Sequence, residues 1–132
     1  MTTNHHHAPL LLALAIVCVA LPAEAADRMH AGQWVGSWTG GGRTRATSNC
    51  MAQGDADAMN GDAKSIRAYL EKTIPPAICT LSDIKANGNE VTYTSVCAGK
   101  SNVITTTYHG ESFESTDSSG AKSEAKRVGA CK

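Results

Sequence analysis

Past residue 25, this 132-residue chain has few residues suited by kind and position to catalysis or ligation. Cys50, Cys79, Cys97 and Cys131 are the first of them. Structural zinc sites use close cysteine pairs, and here no two cysteines lie within four residues of each other. The absence of a C-x-x-C pair also argues against a thioredoxin-like redox centre. An even set of cysteines in a small exported chain reads instead as a disulfide framework. Asp55, Asp57, Asn60, Gly61 and Asp62 faintly resemble a calcium loop. Counted from Asp55, however, position 5 is Met59, position 6 is Asn60 and position 12 is Ile66, where the loop needs an oxygen donor, a glycine and a glutamate. A solvated loop ending in a helix cap explains the stretch better. His30 and His109 could serve a hydrolytic site, but serine and threonine are so abundant that no pairing stands out, and His109-Gly110 reads as a turn. Gly40-Gly41-Gly42 before Arg43 lacks the spacing, lysine and following helix of a phosphate loop. No residue is assigned a catalytic, cofactor-binding or metal-ligating role. Trp34 and Trp38 share a strand face and read as core, with an aromatic contact surface as the alternative.

The cysteines need elements to position them. Cys79 to Cys97 reads as a β-hairpin turned at Asn87-Gly88, both of which tolerate positive φ. That turn sets Ala86 opposite Asn89, Lys85 opposite Glu90 and Ile84 opposite Val91. Leu81 and Ile84 are three apart, so a bulge near Ser82-Asp83 is needed to place both on one face. The same bulge brings Cys79 opposite Cys97, within reach of a disulfide, and leaves Cys50 for Cys131. Chain-entropy estimates value these two bridges at about 3 and about 4.5 kcal/mol.

Elsewhere, Gly32 to Thr39 alternates as a strand, ended by the triple glycine, and Arg43 to Cys50 continues as a polar strand. Met51 to Asn60 is small, polar and Asp-rich, the composition of a loop. Asp62 suits a helix N-cap. Ala63, Ile66, Tyr69, Leu70 and Thr73 recur at helical spacing up to Pro75-Pro76, which stops the helix after about Ile74. Ala98 to Asn102 reads as a polar turn and Val103 to Tyr108 as a strand. A two-residue turn at His109-Gly110 then sets Thr106 opposite Phe113 and Tyr108 opposite Glu111. Asp117 to Gly120 marks a turn before a last strand from Lys122 to Val128. The fold class expected is α+β and β-rich: an antiparallel meander sheet, free to curl, with one short packed helix and two disulfide staples.

Residues 1–25 read as a signal peptide. An apolar run from Ala8 to Leu21 is too short for a comfortable membrane span, and Leu21-Pro-Ala23-Glu-Ala25 supplies an A-x-A cleavage site. The n-region has no lysine or arginine, and Cys18 lacks the small preceding residue of a lipidation site. Cleavage after Ala25 leaves residues 26–132 as a single disulfide-bonded domain, with no transmembrane segment, destined for the periplasm or secretion. That part carries twelve basic and eleven acidic residues. Such a balance gives no basic face for nucleic acid and no reason to expect an anionic membrane as partner. Its Leu, Ile, Val and Phe number only thirteen, so disulfides matter to whether it folds.

Gly32-Gln-Trp34, the run from Cys79 through Asn87-Gly88 to Tyr93, Val96-Cys97, Thr107-Tyr108-His-Gly110-Glu-Ser-Phe113 and Arg127-Val-Gly129-Ala-Cys131 occur in that order. On these motifs the chain resembles the small exported bacterial proteins grouped as domain of unknown function 3617. It departs from their pattern in its methionine-poor later strands and its Gly/Asp-rich Met51–Asp62 segment. The resemblance implies a periplasmic or secreted disulfide-bonded domain and brings no catalytic or ligand-binding residue. The biochemical activity is not legible in the sequence. The expectation is a non-enzymatic domain that binds an envelope protein or small ligand, with no cofactor. The alternatives are an inhibitor of an envelope or extracellular hydrolase, presenting Gly40–Gly42 or His109-Gly110, and, third, an enzyme whose type the residues do not indicate.

Overall fold

The computed structural model describes residues 26–132, and the leader read over residues 1–25 lies outside the described residues. Seven strands and two helices follow one another: β1 (Gly32–Gly40), β2 (Arg43–Met51), α1 (Gln53–Asn60), α2 (Ala63–Thr73), β3 (Cys79–Asn87), β4 (Glu90–Cys97), β5 (Lys100–Tyr108), β6 (Ser112–Asp117) and β7 (Lys122–Gly129). All strands belong to one antiparallel sheet in the order β2-β1-β7-β6-β5-β4-β3, which is open rather than closed into a barrel. The meander therefore runs through five strands, and the N-terminal hairpin adds to it beside the last of them. A helix-bearing crossover carries the chain from β2, at one edge, to β3 at the other.

Two helices are present where the sequence suggested one. Of the stretch expected as a loop, Met51 to Asn60, Met51 ends β2 and Gln53–Asn60 form α1. It has no side-chain N-cap, and its apolar face is reduced to Ala56 and Met59, both nearly fully buried. So little periodicity cannot announce a helix; packing against the sheet and α2 holds it. Its Asp55 is tied to Lys72 of α2 at 2.8 Å. For α2 the local signals suffice: Asp62 accepts from the Ser65 amide at 2.9 Å, and Ile66 and Leu70 are buried.

In the β3–β4 hairpin the register slips by one residue between Ser82 and Lys85, where Asp83 adopts a positive φ of 52°. This bulge lets Leu81 and Ile84 face the same core. The turn differs from the expected one. Asn87 pairs with Glu90 and Ala86 with Val91, so the two loop residues are Gly88 and Asn89. Only Gly88 has positive φ, at the first central position, where a II′-type turn favours glycine. Two further corrections concern β5. Its start lies at Lys100, because Ala98-Gly99 alone makes a tight turn, both residues at positive φ. After it, Tyr108 opposes Phe113 and Thr106 opposes Ser115, so the connection is the four-residue loop His109 to Ser112. Gly110 is not free to sit in a two-residue turn, since its amide donates to Arg28 O and its carbonyl accepts from the His30 amide.

Cys79 and Cys97 are directly opposed at the end of β3–β4 and are disulfide-bonded. The second bridge joins Cys50 of edge strand β2 to Cys131, just past β7. It spans β1, whose Gln33 pairs with Cys50 on one side and Gly129 on the other. Close packing of β1 on β7 requires Gly36: a side chain there would fall on the Glu124 carbonyl and within 2.6 Å of Ala125 Cα.

Candidate functional site

Strand alternation sorts the sheet into two faces. The inner face carries Trp34, Phe113, Tyr108, Val91 and Leu81, and the two helices cover its middle with Ala56, Met59, Ile66 and Leu70. On the β1–β2 side α2 contributes Tyr69. A cleft of about 560 Å³ remains there, walled by Met29, Trp34, Met51, Tyr69, Tyr108 and Phe113, with Thr47, Asn49 and Ser123 along its polar side. Its aromatic wall is built from separate strands: Phe113 stands 5.9 Å from Trp34 and 5.8 Å from Tyr108, centroid to centroid, in tilted packing. Burial raises the pKa of Tyr69 and, more strongly, of Tyr108, so both phenols stay protonated at neutral pH.

The two tryptophans part company. Trp34 is 3% exposed and belongs to the core, its indole Nε1 donating to His30 O at 3.0 Å. Trp38, two register steps on, is half-buried, and Arg45 lies over its ring at 5.8 Å. The core reading therefore holds for Trp34 alone.

The N-terminal segment closes one end of the cleft, and nothing in its sequence marked it. Arg28 is only 4% exposed. Its guanidinium donates to the carbonyls of Gly88, Met59 and Gly61 at 2.7–2.9 Å, and burial lowers its pKa. Asn60, a residue of the rejected calcium pattern, accepts from the amides of Arg28 and Met29 and donates to Met29 O. Asp57 bonds Gln53 and Asp62 caps α2, so the acidic stretch is spent on structure.

His30 and His109 lie apart in role. His109 Nε2 is 3.9 Å from Glu114 on the surface. His30 is held between two carboxylates, Nδ1 bonded to Glu111 and Nε2 to Asp27 at 2.8 Å, and Arg127 approaches Glu111 from the other side. The hydrogen bond His30 donates to Glu111, then that to Asp27, raises the His30 pKa; the same bond lowers that of Glu111. The sign follows for each partner. His30's contribution is complete below the ordinary histidine value and fades as pH rises through its raised one, whereas Glu111's is present above the ordinary carboxylate value and fades as pH falls through its lowered one. The docking of residues 27–30 is thus expected to be tightest between those two limits. Hydrogen exchange at the His30 amide, which bonds Gly110 O, should quicken above the His30 pKa beyond the intrinsic base-catalysed trend. His30→Asn should abolish that excess; an excess that survives in the variant rejects the assignment.

A family model described as "Protein of unknown function (DUF3617)" matches residues 29–131, from the docked N-terminal segment to the last cysteine. No curated protein and no solved structure matches.

Proposed function

The chain belongs to the family described as protein of unknown function (DUF3617), and on that premise we propose that it is an exported, non-enzymatic domain whose inner cleft binds a small ligand. The single observation that carries this reading is the cleft itself. It is concave, walled by aromatic and methionine side chains, edged by a few hydroxyl and amide groups, and of a size typical for small-molecule sites of roughly 300–1,000 Å³. Such a shape favours a small ligand over an envelope protein, which would need a broad exposed patch. Export to the periplasm or beyond is supported by the A-x-A leader and by two disulfides, which persist in oxidising compartments. Among the described residues no helix is long and apolar enough to cross a membrane. A non-enzymatic role is supported by His30, both of whose ring nitrogens are engaged by carboxylates rather than by a hydroxyl nucleophile. Inhibition of a hydrolase is the weaker reading, because one of its two presenting loops, His109-Gly110, is occupied by residues 28–30.

The test uses an uncharged apolar fluorophore, N-phenyl-1-naphthylamine. Saturable binding to one site is expected, and Thr47→Trp, which fills the cleft from an exposed position on β2, should abolish it without lowering thermal stability. Absence of saturable binding, or binding unchanged by that variant, would reject the cleft as a ligand site.

A further inference from the structure

We infer that the ligand of this cleft is a single-chain amphiphile with an anionic head group, a proposal that rests on the ligand-binding reading above. The inner-facing positions of β2 read, in order, Met51, Asn49, Thr47, Arg45 and Arg43, a gradient from apolar through neutral polar to cationic in which the first three line the cleft and the arginines follow on the same face beyond its end. Met51 to Arg45 covers about 20 Å at ~3.4 Å per residue, the run of a single extended chain and not of a compact ring. At the Met51 end stand Met29, Trp34, Tyr108 and Phe113, an aromatic and methionine wall for a hydrocarbon tail.

Arg43 and Arg45 at this end differ from the other arginines, although most lysines are likewise without an ion pair among the described residues. Arg28 is spent on three carbonyls, Arg67 on Glu71 and Leu81 O, and Arg127 on Glu111 and Ala31 O. Among the described residues neither Arg43 nor Arg45 is paired with a carboxylate. Arg45 is nevertheless positioned, its guanidinium over the Trp38 ring. A guanidinium held near a ring by its charge keeps N–H groups available for bidentate contact with a carboxylate. Two acids come near this region. Glu124 touches the cleft, but strand alternation directs its side chain to the outer face, beside Glu114 and Ser37. Asp117 is held by the turn, its Oδ1 accepting from Ser119 and Ala121. Neither one neutralises the arginine pair.

Isothermal titration with decanoate and with decan-1-ol, at pH 8 and low salt, separates tail from head. Decanoate is expected to bind about tenfold or more tightly than decanol, the scale of a charge-assisted hydrogen bond. Arg43→Gln/Arg45→Gln should shrink that preference to under about threefold while leaving decanol affinity and thermal stability unchanged, since both arginines are exposed edge residues. Equal affinity for the two ligands overturns the head-group inference and leaves the cleft reading standing. A decanoate preference that survives in the double variant also overturns it. Failure of both ligands to bind overturns the inference together with the reading beneath it.

Discussion

Replacing Cys50 and Cys131 together by alanine is expected to cost about 2–5 kcal/mol of unfolding free energy, more than the same change at Cys79 and Cys97. The Cys50–Cys131 bridge has a sequence separation of 81, against 18 for the other, so its loss frees far more of the unfolded chain. It also acts on the native state. Strand β2 is an edge whose residues 43–50 are exposed, contributing almost no buried side chain before Met51. Its attachment depends on the ladder to β1 and on this bond to the segment beyond β7. The Cys79–Cys97 bond, by contrast, joins residues already paired in a hairpin that is held by Leu81, Ile84 and Val91. With so small an apolar complement, either loss is a large share of a typical ~5–15 kcal/mol stability. Urea denaturation of the two double variants gives the comparison directly. If Cys79→Ala/Cys97→Ala proves the more costly, the edge strand is anchored by something other than its disulfide.

Trp34→Ala should be comparably severe, about 3–5 kcal/mol, as for other large aromatic truncations in cores. The indole is 3% exposed, packs on Phe113 and bonds His30 O, so its removal opens a cavity where β1, β6 and the N-terminal segment meet. Trp34→Phe keeps most of the apolar contact and leaves that carbonyl without its donor, for an expected loss nearer 1 kcal/mol plus the smaller ring's deficit. Trp38→Ala, at a half-buried site where the ring lies beside Gly40 and below the Arg45 guanidinium, should cost well under half as much as Trp34→Ala. Chemical denaturation of the three variants orders them. Equal losses at the two alanine variants would place Trp38 in the core as well and narrow the cleft argued for above.

Much of the local architecture was legible in the residues, because its causes are local. The three-residue spacing of Leu81 and Ile84 requires one extra residue in β3, and the bulge stands between Ser82 and Lys85. Asp62 before Ala63 and Pro75-Pro76 after Thr73 bound a helix by capping and by the missing amide, wherever it packs. Gly-rich and Asp-rich pairs mark turns through the φ values they tolerate.

Both misread hairpin registers trace to a single non-local cause. Gly88 O accepts from Arg28 and Asn89 O from the Tyr108 amide, while Gly110 is clasped between Arg28 and His30. Each turn is fixed by partners sixty to eighty residues away in sequence, or by a neighbouring strand, which no window around the turn contains. Helix α1 is hidden for the same reason: two buried residues make no stripe, and only the sheet beneath makes them a face. The cleft is the extreme case. Its walls come from the N-terminal segment, β1, β2, α2, β5, β6 and β7, and the placing of β1 beside β7 sets them around one space. Approximate turn sites, strand alternation and the cysteines that a hairpin could oppose follow from steric and periodic constraints between near neighbours. The burial of Arg28, the difference between Trp34 and Trp38 and the cleft itself arise only on assembly, since burial and concavity are properties of strands brought together from distant parts of the chain.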